Sequence, residues 1–521
     1  MKGLPELRYK TSAYQQTQTT FGGLNRRASA SDGEIADMRN MSGDKAPILS
    51  PRCPRKLVES AQSRIYGVYW LDGLVVVKDG RVFYKGAEVG AVEASSKVIT
   101  ALASKVVILP DKVYFDTADE KPELHTIDAE VKNVKAKIQD GEYAGEAAKA
   151  NTIYAEGVNW KEYFKVGDAV TISGAFVHTQ NNVTIVVREI SGNNLRFYEN
   201  SFTVGTSGDD EVLTISRKMP EMDYICECNN RLWGCKGDTV YASKLGDVEN
   251  WNVFDGLASD SYADDVGSPG DFTACITYLG YPIFFKEDVI YKAYGSQPSN
   301  FQLVRSASLG VTPGNSRSLA IAGEVLFYMA RTGIVGYSGS TPYDIFLPFD
   351  NERFTDCVGG SDGKKYYVSM HKEDGTWLLA VYDTAFGTWH LEDDTEAVGF
   401  VYDEGLYIAT PKAIYKTEGG DELVSSVVEF ADSTLSAPNK KTLQKIALRI
   451  TVAESSSLTV KVSYDGGEWI TVRTLSPSAK RSYYLPVIPR RCDHFRLKLE
   501  GEGFWQLHGI TREYTYNSMK G

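Results

Sequence analysis

A short pattern of turn residues, apolar residues and polar residues recurs along the middle of the chain and ends each time in tyrosine. Apolar triplets such as Val75–Val77 and Ile283–Phe285 are typical of a strand buried on both faces. Each copy therefore predicts a strand, a tight turn and a second strand. The copies are GLVVVKDGRVFY (73–84), SKVVILPDKVY (104–114), RLWGCKGDTVY (231–241), GYPIFFKEDVIY (280–291), GEVLFYMARTGIVGY (323–337), GTWLLAVY (375–382) and GLYIATPKAIY (405–415).

The spacing of the closing tyrosines indicates the repeat unit. Successive tyrosines are separated by 30, 127, 50, 46, 45 and 33 residues. Most of these steps are near the length of a four-stranded propeller blade, roughly 40–50 residues. We therefore expect an all-β chain whose body is an irregular β-propeller of about six or seven blades, at 59–122 and 219–420. The closing tyrosines are Tyr84, Tyr114, Tyr241, Tyr291, Tyr337, Tyr382 and Tyr415.

The single long step indicates an inserted domain. The character of the sequence changes over 123–218, where FKVGDAVTISG (164–174) and VLTISRK (212–218) indicate short strands. Removing about 90 residues shortens the long step to the length of one blade. The segment 123–218 is therefore predicted to be an inserted small β-barrel.

Both ends of the chain depart from the repeat. In the last hundred residues, Leu458, Val460 and Val462 alternate with polar neighbours, which predicts a sheet with one buried face. Residues 421–521 are therefore predicted to be a C-terminal β-sandwich. Residues 1–58 lack strong periodicity and are interpreted as an extended N-terminal arm, ordered by contact with something else.

Charge refines the interpretation of this arm. The chain of 521 residues has a net charge of −12, which argues against a general nucleic-acid binder. The first 60 residues carry +4 and the remainder −16. A basic arm on an acidic body favours docking on a neighbouring copy, and a solvated terminus is the alternative.

Targeting and redox signals are absent from the sequence. The N-terminus MKGLPELRYK lacks an apolar signal-peptide core, and no apolar run approaches the roughly 18 residues of a membrane span. Seven scattered cysteines do not suggest a disulfide framework. We therefore expect a protein made in a cytoplasm, without a membrane span.

Several local patterns resemble sites without completing one. Cys226, Cys228 and Cys235 lack a fourth zinc ligand nearby, so buried strand positions are favoured over a metal site. GYSGS (336–340) lacks the second glycine of a nucleophile elbow, and SYDGGEW (463–469) favours a hairpin turn. We therefore expect no catalytic, cofactor or metal residues, and a protein that is not an enzyme.

Two acidic clusters are the remaining candidates for a metal site. Asp260, Asp264 and Asp265 form one cluster, and 392–394 (Glu-Asp-Asp) form another. Neither follows the alternating acidic pattern with a central glycine that a calcium loop requires. Solvated loops are therefore favoured over calcium sites.

Two stretches resemble structural proteins of tailed bacteriophages and prophages. One is FGGLNRRASASDGEIADMRNMSGDKAPILSPR (21–52), and the other is NNRLWGCKGDTVYASKLGDVENWNVF (229–254). YLGYPIFFKEDVIYKAYGSQPSNFQ (278–302) is similar to these proteins too. Within that group the chain most resembles β-propeller tail proteins, namely nozzle or tubular tail protein B and stabilisation proteins below the portal.

The resemblance implies a function and partners. It implies a virion protein of the tail or head–tail connector, assembled in the bacterial host cytoplasm as a cyclic homo-oligomer, usually a hexamer. Other tail proteins would be partners, and genome DNA would pass through an acidic channel without sequence-specific binding. A distal tail or baseplate protein that binds host-surface glycan through its accessory β-domains is the alternative. The candidate inter-subunit arm contacts are Phe21, Leu24, Arg26, Arg27 and Arg52.

Overall fold

The structure consists of strands joined by turns. The computed structural model describes residues 12–30, 33–204, 211–435 and 439–516. The described residues contain no α-helix, and their short 3-10 turns are at Trp160–Glu162, Thr179–Asn181, Pro298–Asn300, Ser316–Ser318 and Leu347–Phe349. The expected all-β class is therefore confirmed. The chain divides into two compact units, unit 1 (1–63 and 317–521) and unit 2 (64–316).

The N-terminal segment contributes five strands to unit 1. They are β1 (Ser12–Gln18), β2 (Ile35–Arg39), β3 (Met41–Ser42), β4 (Ser50–Pro51) and β5 (Arg55–Ser60). β3 and β4 pair with each other in a small two-stranded sheet. The other three strands join sheets formed much later in the chain, as described below.

Unit 2 begins with two four-stranded antiparallel sheets. Their innermost strands, the first of each sheet, contact each other as in neighbouring propeller blades. The repeat GLVVVKDGRVFY forms the second and third strands of the first sheet, as predicted. The strands are β6 (Ile65–Trp70), β7 (Leu74–Lys78), β8 (Arg81–Tyr84) and β9 (Ala87–Ala91), then β10 (Val98–Leu102), β11 (Lys105–Leu109), β12 (Val113–Asp116) and β13 (His125–Thr126).

The insertion forms one seven-stranded sheet in the order β17-β16-β20-β14-β15-β19-β18. Its two end strands, β17 and β18, follow each other directly in the chain. The Val187 N–H donates to the backbone carbonyl of Asp168 beside β16, and the Arg188 N–H donates to the backbone carbonyl of Arg196 in β19. The sheet is therefore rolled so that its ends meet, around a core that includes Trp160. The strands are β14 (Ala129–Tyr143), β15 (Glu146–Tyr154), β16 (Ala169–Ser173), β17 (Thr184–Val186), β18 (Glu189–Ser191), β19 (Asn194–Arg196) and β20 (Glu211–Arg217).

Unit 2 ends with two further four-stranded sheets. The innermost strand of the third sheet contacts the innermost strands of the second and fourth sheets. The strands are β21 (Tyr224–Cys228), β22 (Arg231–Lys236), β23 (Thr239–Ala242) and β24 (Tyr262–Asp265), then β25 (Ala274–Tyr278), β26 (Tyr281–Phe285), β27 (Val289–Tyr294) and β28 (Gln302–Ala307).

Unit 1 contains three more four-stranded sheets, which brings the number in the described residues to seven. The outermost strand of the last sheet is β5, which pairs with β39. The N-terminal segment thus completes the last blade. The strands are β29 (Ala320–Ala322), β30 (Val325–Ala330), β31 (Gly333–Tyr337) and β32 (Tyr343–Asp344), then β33 (Phe354–Ser361), β34 (Lys365–Lys372), β35 (Trp377–Asp383) and β36 (Thr388–Leu391), then β37 (Gly399–Tyr402), β38 (Leu406–Ala409) and β39 (Ala413–Gly419).

The C-terminal region is the expected sandwich of two five-stranded sheets, and the N-terminal segment supplies a strand to each. Sheet A has the order β1-β47-β41-β44, with β45 also paired to β41, and sheet B has the order β2-β40-β46-β42-β43. Leu458, Val460 and Val462 are buried in its core, as their alternation predicted. The strands are β40 (Ser425–Phe430), β41 (Lys441–Val452), β42 (Ser457–Tyr464), β43 (Ile470–Leu475), β44 (Ser478–Leu485), β45 (Arg491–Cys492), β46 (Phe495–Glu502) and β47 (Trp505–Tyr516).

Candidate functional site

The apolar residues of the arm lie in the core of unit 1. The ring centroids of Phe21 and Phe430 are 6.0 Å apart, and the Leu24 N–H donates to the Trp389 carbonyl over 2.8 Å. Leu24 is only 3% exposed. These side chains are therefore covered by the chain's own sandwich and blades.

Arg26 and Arg27 also have partners within the chain. Arg26 donates to Asp37 over 2.8 Å and forms an ion pair with Glu352. Burial alone would lower the pKa of Arg26, but the two carboxylates raise it above its usual value. Arg27 donates to the side-chain oxygen of Asn25 over 3.0 Å.

Arg52 belongs to a buried cluster of two arginines and two carboxylates. Arg55 donates to Glu392 over 2.6 Å and lies 3.1 Å from Asp393, while Arg52 reaches Asp393 over 3.3 Å and Asn40 over 2.8 Å. Burial would raise the pKa of Asp393, but Arg55 and Arg52 hold it below its usual value. The cluster fastens the end of the arm to the loop that follows β36.

These contacts differ from those expected. Phe21, Leu24, Arg26, Arg27 and Arg52 were expected to contact a neighbouring copy. The structure gives each of them contacts within one chain, and contact with a neighbouring copy stays a prediction. The physical reason for the contacts within the chain is that strands β1, β2 and β5 fill sheet edges of unit 1, which brings the residues between them into its core. An arm extended over 1–58 is thus replaced by strands over the part that the structure describes.

A polar cleft of about 290 Å³ lies beside this arginine cluster. Asp44 at its edge forms an ion pair with Lys365, and Tyr367 directs its hydroxyl towards Asp362 over 3.5 Å. Burial raises the pKa of Tyr367 well above its usual value, so this hydroxyl is a neutral hydrogen-bonding group. The cleft is lined by Met41, Ser42, Asp44, Arg52, Cys53, Asp362, Lys364, Tyr367, Val381, Glu392, Tyr402, Glu404, Gly405, Leu406, Thr417 and Glu418.

His390 is a buried titratable group beneath the arm. Burial, together with the charge of Lys365, lowers the pKa of His390 to about 4, although Asp44 opposes the shift. A side chain at Gly43 would meet the His390 ring at 2.9 Å, so the arm passes directly over the imidazole. His390 is therefore neutral near pH 7.

The second phage-like stretch forms a rigid loop in unit 2. Arg231 is buried, and it donates to the backbone carbonyls of Ser243 (2.7 Å), Asp260 (2.5 Å) and Ala258 (2.7 Å). Burial lowers the pKa of Arg231, and Asp260 opposes the shift. One guanidinium thus holds both ends of the loop between β23 and β24.

The same loop joins the inserted barrel to the blades. Asn250 donates to Asp168 over 3.0 Å and accepts from the Ala169 N–H over 3.0 Å. Asp168 is fully buried and also pairs with Arg217, which lies 3.3 Å from Glu249. The S-K-L-G-D-x-x-N-W segment therefore fixes the barrel in unit 2, a role that its sequence alone did not indicate.

The cysteines of unit 2 occupy apolar surroundings. Cys226, Cys228 and Cys235 lie in one core cluster with Trp233, as their strand positions predicted. The pKa of the Cys226 thiol is raised well above its usual value. The larger cause is a hydrogen bond with Cys275, and the second is burial. Within the described residues, no group of three or more His, Cys, Asp or Glu side chains is placed to hold a metal ion.

The other local patterns lie in turns. GYSGS ends β31 and enters the turn before β32, and SYDGGEW forms the turn between β42 and β43, where Ser463 donates to the Gly467 carbonyl. In the acidic cluster of β24, Asp264 accepts from Tyr262 over 3.0 Å. Across the part of the chain that is described, no helix is both long enough and apolar enough to cross a membrane.

Comparisons with known proteins bear on the fold. No family model matches the chain, and no curated protein matches it in sequence. Similar solved structures include an exo-β-1,3-galactanase from Phanerochaete chrysosporium, at 9% identity, a TM-score of 0.22, and coverage of 55% of this chain and 94% of that chain. PorZ, a type-IX secretion component of Porphyromonas gingivalis, has 12% identity, a TM-score of 0.25, and coverage of 87% and 71%. The Trypanosoma rangeli sialidase has 11% identity, a TM-score of 0.24, and coverage of 96% of both chains.

These comparisons correct one expectation. The sequence was taken to indicate a protein that is not an enzyme, and this is contradicted because the galactanase and the sialidase are enzymes. An all-β fold of this class is compatible with catalysis, so the absence of a recognisable catalytic motif does not exclude it. At these identities and TM-scores the likeness concerns the fold and carries no argument about substrate.

Replacement of Leu24 by alanine tests the position of the arm. Deleting a buried leucine side chain leaves a cavity, so we expect Leu24→Ala to lower the free energy of unfolding of unit 1 by about 3 kcal/mol. Urea unfolding measures this loss, which should not depend on protein concentration. Leu423→Ala is the control, because Leu423 is exposed in the same unit and its loss should cost about 0.5 kcal/mol or less. A destabilisation that appears only in an oligomer would contradict the intramolecular position.

Replacement of Asp168 tests the lock between barrel and blades. Asp168→Ala leaves Arg217 buried with one partner fewer, so we expect the free energy of unfolding to fall by about 3 kcal/mol. The barrel should also become more susceptible to limited proteolysis. Asp255→Ala, which removes a partly exposed partner of Arg188, should cost about 1 kcal/mol or less. An equal decrease in the free energy of unfolding in the two variants would show that Asp168 does not fix the barrel to the blades.

The low pKa of His390 predicts a pH dependence. The folded-state pKa lies below the usual value of 6.5, so the unfolded chain binds the proton more readily as the pH falls from 6.5 towards 4. We expect the stability of unit 1 to decrease by about 3 kcal/mol over this window. His390→Gln should remove this part of the dependence, measured by urea unfolding between pH 4 and 7. His371→Gln is the matched control, and an unchanged slope in His390→Gln would refute the assignment.

Proposed function

We propose that the chain is a structural virion protein of a tailed bacteriophage, a ring-forming component of the tail or head–tail conduit. One observation carries the proposal. The two stretches that resemble phage structural proteins, 21–52 and 229–254, are the segments that fasten the parts of each unit together. Arg52 anchors the arm, and Asn250 anchors the inserted barrel. A protein that carries mechanical load in a particle needs such fixed junctions.

The charge of the chain supports a conduit. A net charge of −12 disfavours retention of the phosphate backbone, so genome DNA passes without sequence-specific binding. The proposed partners are identical copies in a cyclic oligomer, with six as the expected number, and other tail or connector proteins. The proposed location is the virion, after assembly in the bacterial host cytoplasm.

The contacts between copies must use surfaces other than the buried arm residues. Leu57 and Val58 are both exposed on β5, the outermost strand of the last blade. Val58 has no partner on β39, because it lies in a β-bulge between Leu57 and Glu59, and the two exposed apolar side chains are adjacent on this edge. We assign this edge to the contact between copies.

Ring assembly gives the test of the proposal. Native mass spectrometry of the full chain should show a closed oligomer, and Leu57→Glu with Val58→Glu should reduce it to monomers because burying carboxylates at the contact is unfavourable. Ile488→Glu is the control, since Ile488 is exposed on the sandwich. Proteomics of purified particles should recover the chain at the copy number of a ring. Its absence from particles would refute the proposal, whatever its oligomeric state.

A second candidate is a distal tail or baseplate protein that binds host-surface glycan through an accessory β-domain. The exposed face of sandwich sheet A favours it, because Tyr484 is 60% exposed there and aromatic rings stack on sugars. Binding of the full chain to host cells, lost in Tyr484→Ala, would support this role.

A further inference from the structure

The two outer faces of the sandwich differ in how their charges are compensated. On sheet B, Lys461 pairs with Glu500 over 2.6 Å, and Arg496 pairs with Glu429 over 2.8 Å. Lys498 lies 3.8 Å from both of these glutamates. Arg496 also pairs with Asp432 over 2.6 Å, so each of these three cations has an adjacent carboxylate.

On sheet A the cations lie together without such partners. Arg449 projects from β41, Lys480 from β44 and His508 from β47, and both long side chains are exposed. Within the described residues, neither Arg449 nor Lys480 forms an ion pair. Arg449 lies opposite Ser482, two residues from Lys480, and opposite Gly509, next to His508, so the three groups share one region. Burial lowers the pKa of His508, and the charges of Lys480 and Arg449 lower it further, so His508 is a neutral hydrogen-bonding group there. Lys445 is a third cation of this face, and it differs from the other two because it lies 3.9 Å from Glu513 and 4.3 Å from the centroid of the Tyr484 ring.

The surface beside these cations consists mainly of small side chains. One row across four strands consists of Thr17, Thr511, Ala447 and Tyr484. The two threonine hydroxyls are 3.1 Å apart. Tyr484 ends the row as an exposed ring.

Electrostatics indicates what this face would bind. Placing like charges together costs free energy, and nearby carboxylates relieve that cost elsewhere on this acidic chain. An anionic ligand would supply the missing charge, since arginine and lysine bind carboxylates through charge-assisted hydrogen bonds. The tyrosine ring and the threonine hydroxyls match the apolar face and the hydroxyls of a sugar ring.

We propose that the face formed by Arg449, Lys480, His508 and Tyr484, the cationic face, binds an acidic polysaccharide, a polymer of sugars that carry carboxylates. This inference rests on the second candidate function and specifies its ligand; ring assembly is independent of it. DNA is the less suitable polyanion, because two or three cations neutralise few phosphates and the row of hydroxyls offers no stack of aromatic rings.

The test uses the full chain and three defined probes: polygalacturonate, neutral dextran and a single-stranded 20-mer DNA. We expect calorimetric binding of polygalacturonate that weakens with added salt. Arg449→Gln with Lys480→Gln should weaken it about tenfold or more, because two charge-assisted contacts are lost. Tyr484→Ala should weaken it without changing the salt dependence. Circular dichroism melting verifies that each variant remains folded.

The control variant is Lys149→Gln with Lys161→Gln, which removes the same charge from exposed positions of the insertion. It should bind polygalacturonate as the unmodified chain does. Three results would overturn the inference: no binding by the unmodified chain, equal loss in both double variants, or tighter binding of DNA. Binding of dextran alone would also overturn it while leaving the second candidate function standing. The oligomeric state, measured in parallel, reports separately on the ring proposal.

Discussion

The hydrogen-bonding requirement of sheet edges is the constraint on which unit 1 depends. A strand at the edge of a sheet exposes backbone N–H and C=O groups that pair readily with another strand. In unit 1 the N-terminal segment meets this requirement three times, since β1 and β2 complete the two sandwich sheets and β5 completes the last blade. The burial of Phe21 and Leu24, and the arginine cluster beside the polar cleft, follow from those pairings.

Buried charge is the second organising interaction, and it works in the same way in both units. Arg55 with Glu392 in unit 1, and Arg217 with Asp168 in unit 2, connect segments that are far apart in sequence. A buried ion pair adds little net stability over an apolar pair, yet losing one partner is costly. These pairs therefore select one arrangement of the segments, which suits a protein whose function depends on the position of its domains.

The sequence predicted what depends on local pattern and missed what depends on distant pairing. The repeat that ends at Tyr84 predicted the hairpin of β7 and β8, and period-2 alternation at Leu458 predicted a sandwich strand. The arm was missed because β1 is a polar segment whose partners lie at the other end of the chain, with Ala13 opposite Thr515. The role of Arg52 was hidden for the same reason, since Asp393 lies 341 residues away.

The pairing of the first strands with the last has a consequence for biosynthesis. Unit 2 is one continuous stretch of chain, 64–316. All of the strands that pair within it have therefore left the ribosome before unit 1 is half made. β1 is translated long before β47 and must wait for it before its backbone can form this pairing. β1 thus stays unpaired until β47 has been made, and its many polar side chains (QQTQTT at 15–20) keep it from aggregating during that delay.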